Sequence, residues 1–208
     1  MWAAWDPGQT EILALGYVVF LRMEENKHLA QFDISVLPEH RRQGLGRQML
    51  DLIASTTQQE DRRLLMTNTT DRIPGGEAFM NRIGAKKGLE GHTNQLRLSE
   101  LDRDRIAEWF TRGQQNLGEF KLGFWDGAYP EEMLQEVAEL YDLTNQQPMG
   151  DLEIEDMHMT PEKLRQMEQN MTARGSQRWT FYVIERATGK FAGYTEVMWN
   201  PNRPELLD

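Results

Sequence analysis

The chain is most informative at Val36-Leu37-Pro38-Glu39-His40-Arg41-Arg42-Gln43-Gly44-Leu45-Gly46. This segment joins an alternating apolar stretch, Leu29–Leu37, which predicts a strand, to a helical apolar stripe that begins at Leu45. At such a strand-to-helix turn, free backbone N–H groups and the helix dipole together attract an anion. Glycine at positions 44 and 46 lets a ligand approach the backbone without a Cβ in the way. The segment therefore predicts a turn that binds phosphate.

Two other glycine-rich phosphate loops do not fit these residues. A Walker A loop ends in Gly-Lys-Ser/Thr, but here Gly46 is followed by Arg47 and Gln48. A dinucleotide-binding fingerprint needs a glycine or alanine three positions after Gly46, and that position is Met49. The turn is therefore of neither kind.

The segments around the turn alternate between strand and helix signals. An apolar run at Glu11–Leu21 follows a turn signal at Asp6-Pro7-Gly8, which predicts a hairpin with Trp2–Trp5. After the turn, the pattern predicts a helix through residue 59, a strand at Arg63–Thr69, a helix at Glu77–Ile83 closed by Gly84, and a strand at Leu89–Leu98.

The second half of the chain predicts helices followed by a hairpin. An amphipathic helix at Asp102–Thr111 and a firmer one at Pro130–Asp142 come first. Thr160-Pro161-Glu162 predicts a helix start, with Leu164, Met167 and Met171 as the apolar face. The hairpin consists of Trp179–Arg186 and Phe191–Trp199.

Composition limits the classes of protein that this chain can belong to. Hydrophobic residues make up 39% and charged residues 27% of the 208 residues, as in globular domains with a core. No apolar run is long enough for a membrane span, and the first residues lack the pattern of a signal peptide. The absence of cysteine excludes disulfides, thiolate metal sites and cysteine nucleophiles, and it fits the reducing cytoplasm.

The negative charge is concentrated in the second half of the chain. Residues 1–100 carry 12 Lys/Arg and 13 Asp/Glu, whereas residues 101–208 carry 11 and 20. An acidic half of this kind disfavours nucleic acid as a partner, because phosphates bind to basic surfaces. It suits a cationic partner such as an amine, or it serves only to keep the surface soluble. The four histidines show no metal-ligand spacing, so no metal is expected.

The long segment resembles motif A of the GNAT superfamily, the Gcn5-related N-acetyltransferases. Arg41-x-x-Gly44-x-Gly46 matches the core pattern of that motif, and Val36–His40 matches the residues that often precede it. Ala78-Phe79 and Gly84 fall where later family landmarks are expected. The resemblance implies an α/β (mixed α+β) fold with a central mixed, mostly antiparallel sheet flanked by helices.

The resemblance also implies a ligand and the residues that bind it. The expected acyl donor is acetyl-CoA, whose pyrophosphate would bind to the turn and whose pantetheine arm would pair with the backbone of the preceding strand. The implied cofactor-binding residues are Val36, Arg41, Arg42, Gln43, Gly44, Leu45, Gly46 and Arg47.

The second half resembles part of a tandem GNAT protein of the mycothiol synthase-like kind. The matching stretches are Pro148–Glu153 and Thr188–Thr195. The resulting domain prediction is a GNAT core at 1–100, without the usual first strand and helices, and a linker helix plus the N-terminal half of a second GNAT-like unit at 101–208. On this interpretation the chain is truncated at both ends. A homodimer or swapped dimer would cover the exposed sheet edges, which light scattering tests.

The catalytic residues are less well indicated than the turn. Members of the family often use a tyrosine after the aromatic residue of the second helix as an acid, and here Phe79 is followed by Met80, which has no proton to donate. Ala30 occupies the usual place of a carboxylate, and Asp33 is the nearest acid and the candidate base. The predicted function is N-acyl transfer to an amine of a small molecule. The alternative is an acetyl-CoA-binding module, weakly active or inactive, with a structural or sensing role.

Overall fold

The computed structural model describes all residues from 1 to 208. The strands are β1 (Trp2–Trp5), β2 (Ile12–Val19), β3 (Leu29–Val36), β4 (Leu64–Met66), β5 (Phe120–Asp126), β6 (Gln177–Glu185) and β7 (Phe191–Trp199). The α-helices are α1 (Leu45–Gln59), α2 (Pro74–Arg82), α3 (Arg103–Gln115), α4 (Leu134–Asp142) and α5 (Pro161–Ala173). None of these helices combines the length and the apolar character that a membrane-spanning helix requires.

The contacts between residues divide the chain into two units. Unit 1 consists of Met1–Leu89 and Met149–Glu155, and unit 2 consists of Glu90–Pro148 and Asp156–Asp208. The predicted domain boundary after residue 100 stays a prediction.

Unit 1 contains a four-stranded mixed sheet with the order β1-β2-β3-β4. The first two pairs are antiparallel, and β4 runs parallel to β3. This mixed, mostly antiparallel sheet confirms the predicted fold class. The strand predicted at Arg63–Thr69 is shorter in the structure, because β4 pairs with β3 only at Leu29–Gln31. Beyond that point β3 continues without a neighbour on its β4 side.

Helix α1 covers one face of this sheet and provides the core of unit 1. Ile53 and Met49 of α1 are buried, as are Ala30 and Phe32 of β3. Gly16 of β2 permits this close packing, since a Cβ at that position would lie 3.1 Å from the Cβ of Met49. A larger residue at position 16 would therefore push α1 away from the sheet.

The segment Met149–Glu155 is held to unit 1 by polar contacts. Asn26 and Glu155 form two reciprocal hydrogen bonds. The Asn26 N–H donates to the Glu155 carboxylate at 2.6 Å, and the Glu155 N–H donates to Asn26 Oδ1 at 2.9 Å. Asn26 lies in the left-handed region at φ 58°, where asparagine is tolerated. An ion pair between Arg63 and Glu153, at 2.7 Å, adds a further contact.

Unit 2 contains the antiparallel sheet β5-β6-β7 packed against α4 and α5. Its core residues are Tyr129, Leu134, Val137, Ala138, Met159 and Leu164. The predicted start of α5 is confirmed: the Thr160 hydroxyl accepts the N–H of Lys163 at 3.3 Å, and Pro161 is the first helical residue. The final hairpin is also confirmed, whereas the sequence pattern did not indicate β5.

Two other predictions from the pattern are wrong. Leu89–Leu98 forms no strand; its three leucines are 50% to 67% exposed, so they are not buried against a neighbouring strand. In α5, Met167 is 44% exposed, and the buried positions are Leu164 and Glu168. The predicted apolar face, Leu164, Met167 and Met171, is wrong because the helix turns Glu168 inward. Arg165 and Arg178 neutralise its carboxylate there.

Candidate functional site

The turn between β3 and α1 has the backbone conformation of an anion site. Arg42 lies at φ 65° and Gly44 at φ 92°, so two nearby residues adopt the left-handed region before the helix begins. Alternating backbone conformations of this kind direct successive N–H groups to one side. For Arg42 the conformation is strained, and strained non-glycine residues cluster at functional sites.

The N–H groups of this turn are free to bind a ligand. Within the protein, the backbone N–H groups of residues 42–46 donate no hydrogen bond, and no side chain caps the start of α1. Arg41 is different, because its N–H donates to the carbonyl of Pro38 at 3.3 Å. A Cβ at Gly44 would meet no atom within 4 Å, so space is open beside the turn. Free donors, open space and the helix dipole fit a pyrophosphate group.

Three arginines surround the turn, and the structure gives them different roles. Arg42 and Arg47 are exposed and form no ion pair, so their charges are available to an anion. The Arg41 side chain instead donates from Nε to the carbonyl of Val36 at 3.1 Å. Gln43 behaves similarly, because its amide donates to the carbonyl of Glu39 at 3.2 Å. The side chains of Arg41 and Gln43 therefore stabilise the turn from within.

The end of β3 offers a free backbone edge next to the turn. Leu37 donates its N–H to the carbonyl of Leu13 at 3.0 Å. Since donors alternate along an antiparallel pair, the N–H of Val36 points away from β2. On that side β4 has already diverged after Gln31, so no strand partner accepts this N–H. Val36 can therefore pair with an extended ligand by its backbone.

Asp33 lies on the other face of β3 from α1. It is half-buried and stands opposite Tyr17 of β2. Its Oδ1 accepts a hydrogen bond from the Ser35 hydroxyl at 3.3 Å. Met80 of α2 is half-buried and belongs to the same unit. The neighbouring Phe79 lies close to the turn, because a Cβ added at Gly46 would be 3.6 Å from its ring. The structure thus places the turn, Val36 and Asp33 along one strand and its end.

A buried polar cluster in unit 2 was not found from the sequence. Glu168 and Glu196, with side chains 8% and 9% exposed, both contact Arg178, whose side chain is 4% exposed. Arg178 also lies over the ring of Tyr129, at 3.7 Å from its centre. The Glu196 carboxylate accepts hydrogen bonds from Tyr129 at 2.7 Å, Thr180 at 2.7 Å and Tyr141 at 3.3 Å. We call these residues the Arg178 cluster. None of its buried side-chain nitrogen and oxygen atoms lacks a hydrogen-bond partner, so we expect the cluster to stabilise unit 2.

The Arg178 cluster predicts a loss of stability at high pH. Burial, followed by hydrogen bonds to Tyr141 and Glu196, raises the pKa of Tyr129 far above its usual value of about 10. Tyr129 therefore stays neutral in the folded protein while it ionises in the unfolded chain. Its contribution is fully present below pH 10 and is lost above that pH, by about 1.4 kcal/mol per pH unit. Burial also raises the pKa values of Tyr141 and Tyr194, which steepens the loss.

This prediction is tested by the free energy of unfolding at pH 8, 10 and 11 for the wild type and Tyr129→Phe. The stability of the variant should fall less steeply, because one titrating hydroxyl has gone. Equal slopes above pH 10 would contradict the assignment.

No group of three or more His, Cys, Asp or Glu side chains that could hold a metal ion occurs in residues 1–208.

Two comparisons with known proteins find similar domains. The model of the Acetyltransferase (GNAT) domain family matches residues 1–84. Among solved structures, a tandem GNAT protein from the clavulanic acid biosynthesis pathway, determined without AcCoA, is similar to this chain with a TM-score of 0.52 and 20% identity. The match covers 84% of this chain and 52% of the other, so this chain spans about half the length of that protein. A search of curated proteins finds no match.

The matched region contains the sheet of unit 1, α1 and the turn with the free N–H groups. The similar structure extends the likeness in fold over most of the chain. Residues 1–84 of this protein therefore resemble the acetyltransferase domains of the GNAT family.

Proposed function

We propose that this protein is an acyl-CoA-dependent N-acyltransferase that transfers the acetyl group of acetyl-CoA to an amine of a small molecule. One observation carries the proposal: the five free N–H groups at residues 42–46 lie at the start of α1, directly after the free edge of β3. In acetyl-CoA, a pyrophosphate is followed by an extended arm that contains amide groups. The pyrophosphate fits the free N–H groups of the turn, and the arm fits the adjoining free edge of β3.

The residues predicted to bind the cofactor divide into three roles. The backbone of Arg42, Gln43, Gly44, Leu45 and Gly46 supplies donors to the pyrophosphate, and Arg42 and Arg47 supply positive charge. The backbone of Val36 pairs with the pantetheine arm. Arg41 acts indirectly, because its bond to the Val36 carbonyl holds the end of the strand against the turn. Bound acetyl-CoA supplies the activated acyl group.

Asp33 is the proposed general base. Its carboxylate lies on the face of β3 that α1 leaves open, three residues before Val36. In the reaction the amine nitrogen attacks the thioester carbonyl, the N–C bond forms and the C–S bond breaks. The proton that leaves the nitrogen goes to Asp33, and base catalysis of this kind contributes roughly 10²–10⁴-fold.

The acidic second half supports an amine as the acceptor. Residues 101–208 carry a net charge of −9, from 11 basic and 20 acidic residues, and a field of this sign attracts cationic amines. We also propose a cytoplasmic location, because a chain without cysteine needs no oxidising compartment.

The alternative function is a binding module that holds acetyl-CoA without turnover. Met80 favours it, since methionine at the usual place of the acid cannot protonate the departing thiolate. The two functions share the same site and differ only in chemistry.

Calorimetry and a thiol assay together test the proposal. We expect acetyl-CoA and CoA to bind with micromolar dissociation constants. CoA release from acetyl-CoA can be followed with Ellman's reagent in the presence of lysine methyl ester, ethanolamine or spermidine, and the protein adds no background because it has no cysteine. Binding together with CoA release supports the transferase. Binding without release supports the module, and a gain of release in Met80→Tyr would then identify a degenerate active site.

A further inference from the structure

One face of the unit 1 sheet is exposed beside the proposed site. Helix α1 covers the face on which Gly16 lies. Successive side chains of a strand point to opposite faces, so the residues next to Gly16 in β2 lie on the other face. The opposite face presents Leu15, Tyr17, Val19, Gln31, Asp33 and Ser35. Tyr17 is 39% and Val19 is 41% exposed, so this face is open to solvent at these two positions. An acceptor amine can reach β3 from this side.

Two of these six side chains carry groups that serve in acid–base catalysis, a carboxylate and a phenol. They are Asp33 and Tyr17, and they stand directly opposite each other on neighbouring strands. The N–H of Leu37 donates to the carbonyl of Leu13, so these two residues belong to a hydrogen-bonded pair. Such pairs recur at every second position of an antiparallel ladder, so the backbones of Tyr17 and Asp33 also form one. The Cβ atoms of such a pair are about 5 Å apart and the side chains share one face. A carboxylate and a phenol therefore lie side by side at the open face.

The hydroxyl of Tyr17 is free, unlike the hydroxyls of the buried tyrosines in unit 2. It has no hydrogen-bond partner in the protein, whereas Tyr129 and Tyr141 bond to Glu196. A free phenol on an exposed face can donate to a ligand without breaking an existing bond. Met80 occupies the usual place of the proton donor in GNAT enzymes. Methionine has no proton to donate, so that role is unfilled.

We propose that Tyr17 is the general acid of the acyl transfer and works with Asp33 as the base. This inference rests on the proposed function of the site. The amine attacks the thioester carbon and gives one proton to Asp33. As the C–S bond breaks, Tyr17 gives its phenolic proton to the sulfur, so CoA leaves as a thiol. The proton on Asp33 then returns to the Tyr17 oxygen directly or through water, and both side chains regain their starting states.

Tyr17→Phe tests the assignment, because it removes one oxygen and leaves the ring that packs on the sheet. We expect the rate of CoA release at saturating donor to fall on the order of 10²-fold. The dissociation constant for acetyl-CoA should stay within twofold of the wild type, since the turn and Val36 are untouched. Asp33→Asn should lower the same rate without changing donor binding. Tyr182→Phe is the matched control, because Tyr182 is half-buried in unit 2 and its loss of a hydroxyl should leave both quantities unchanged.

The possible failures are distinguishable. A wild type that binds no acetyl-CoA overturns the proposed function itself. A wild type that binds acetyl-CoA but releases no CoA, with or without the amines above, overturns catalysis and with it the role of Tyr17. A Tyr17→Phe variant that releases CoA within twofold of the wild-type rate overturns the role of Tyr17 and leaves the transferase standing.

Discussion

Replacing Arg178 by methionine should lower the free energy of unfolding by about 3–5 kcal/mol, because breaking a buried ion pair on one side leaves uncompensated charge. The Arg178 side chain is 4% exposed and donates to Glu168 at 2.5 Å and to the Gly127 carbonyl at 3.1 Å. It also lies 3.4 Å from Glu196. Without the guanidinium, the buried carboxylates of Glu168 and Glu196 would lose their shared cation, and only Glu168 would keep another, Arg165. Domains of this size are stable by about 5–15 kcal/mol, so the loss would be a large share of the total.

Urea unfolding followed by circular dichroism measures this loss. Arg174→Met is the matched control: Arg174 is exposed at the end of α5, so its replacement should cost less than about 0.5 kcal/mol. The double variant Arg178→Met, Glu196→Gln should be more stable than the sum of the two single losses predicts, because it removes a buried charge together with its partner. A loss below 1 kcal/mol in Arg178→Met would show that water reaches the Arg178 cluster and screens it.

The sequence predicts the turn well because its information is local. The strand, the turn glycines and the first residues of α1 adjoin in the chain, so the anion site follows from spacing and backbone conformation alone. The positive φ of Gly44 agrees with the use of glycine there. The free edge at Val36 is different, because it depends on where β4 stops pairing with β3. In the sequence this edge was indicated only through the resemblance to the family.

The Arg178 cluster could not be predicted because its members are far apart in the chain. Glu168 interrupts the apolar face of a helix, and Arg178 and Glu196 interrupt strands. Each position by itself is typical of an exposed charge. Only the fold brings the three charges together, and only their mutual neutralisation permits burial. The same lack of context explains the wrong strand at Leu89–Leu98, since strand propensity does not guarantee a neighbouring strand to pair with.

Introducing glutamate at both turn glycines, Gly44→Glu and Gly46→Glu, should weaken acetyl-CoA binding by at least about 10²-fold. A unit charge about 4 Å from a phosphate charge costs about 4 kcal/mol at an effective dielectric constant of 20, and a tenfold change in affinity corresponds to 1.4 kcal/mol. Glutamate at position 44 would also be strained, because the residue lies at φ 92°. Circular dichroism should therefore confirm that the variant is folded before its affinity is measured.

Two controls separate charge at the turn from other effects. A Cβ at Gly46 would make only ordinary contacts, 3.6 Å to Phe79 and 3.9 Å to Val36, so Gly46→Ala should bind within about threefold of the wild type. Gly113→Glu adds the same charge on α3, where a Cβ meets no atom within 4 Å, and should leave the affinity unchanged. If the wild type binds and the folded double variant binds equally well, the pyrophosphate does not bind at this turn. The free N–H groups would then serve only to start the helix, and the acyl donor would have to be bound elsewhere in the protein.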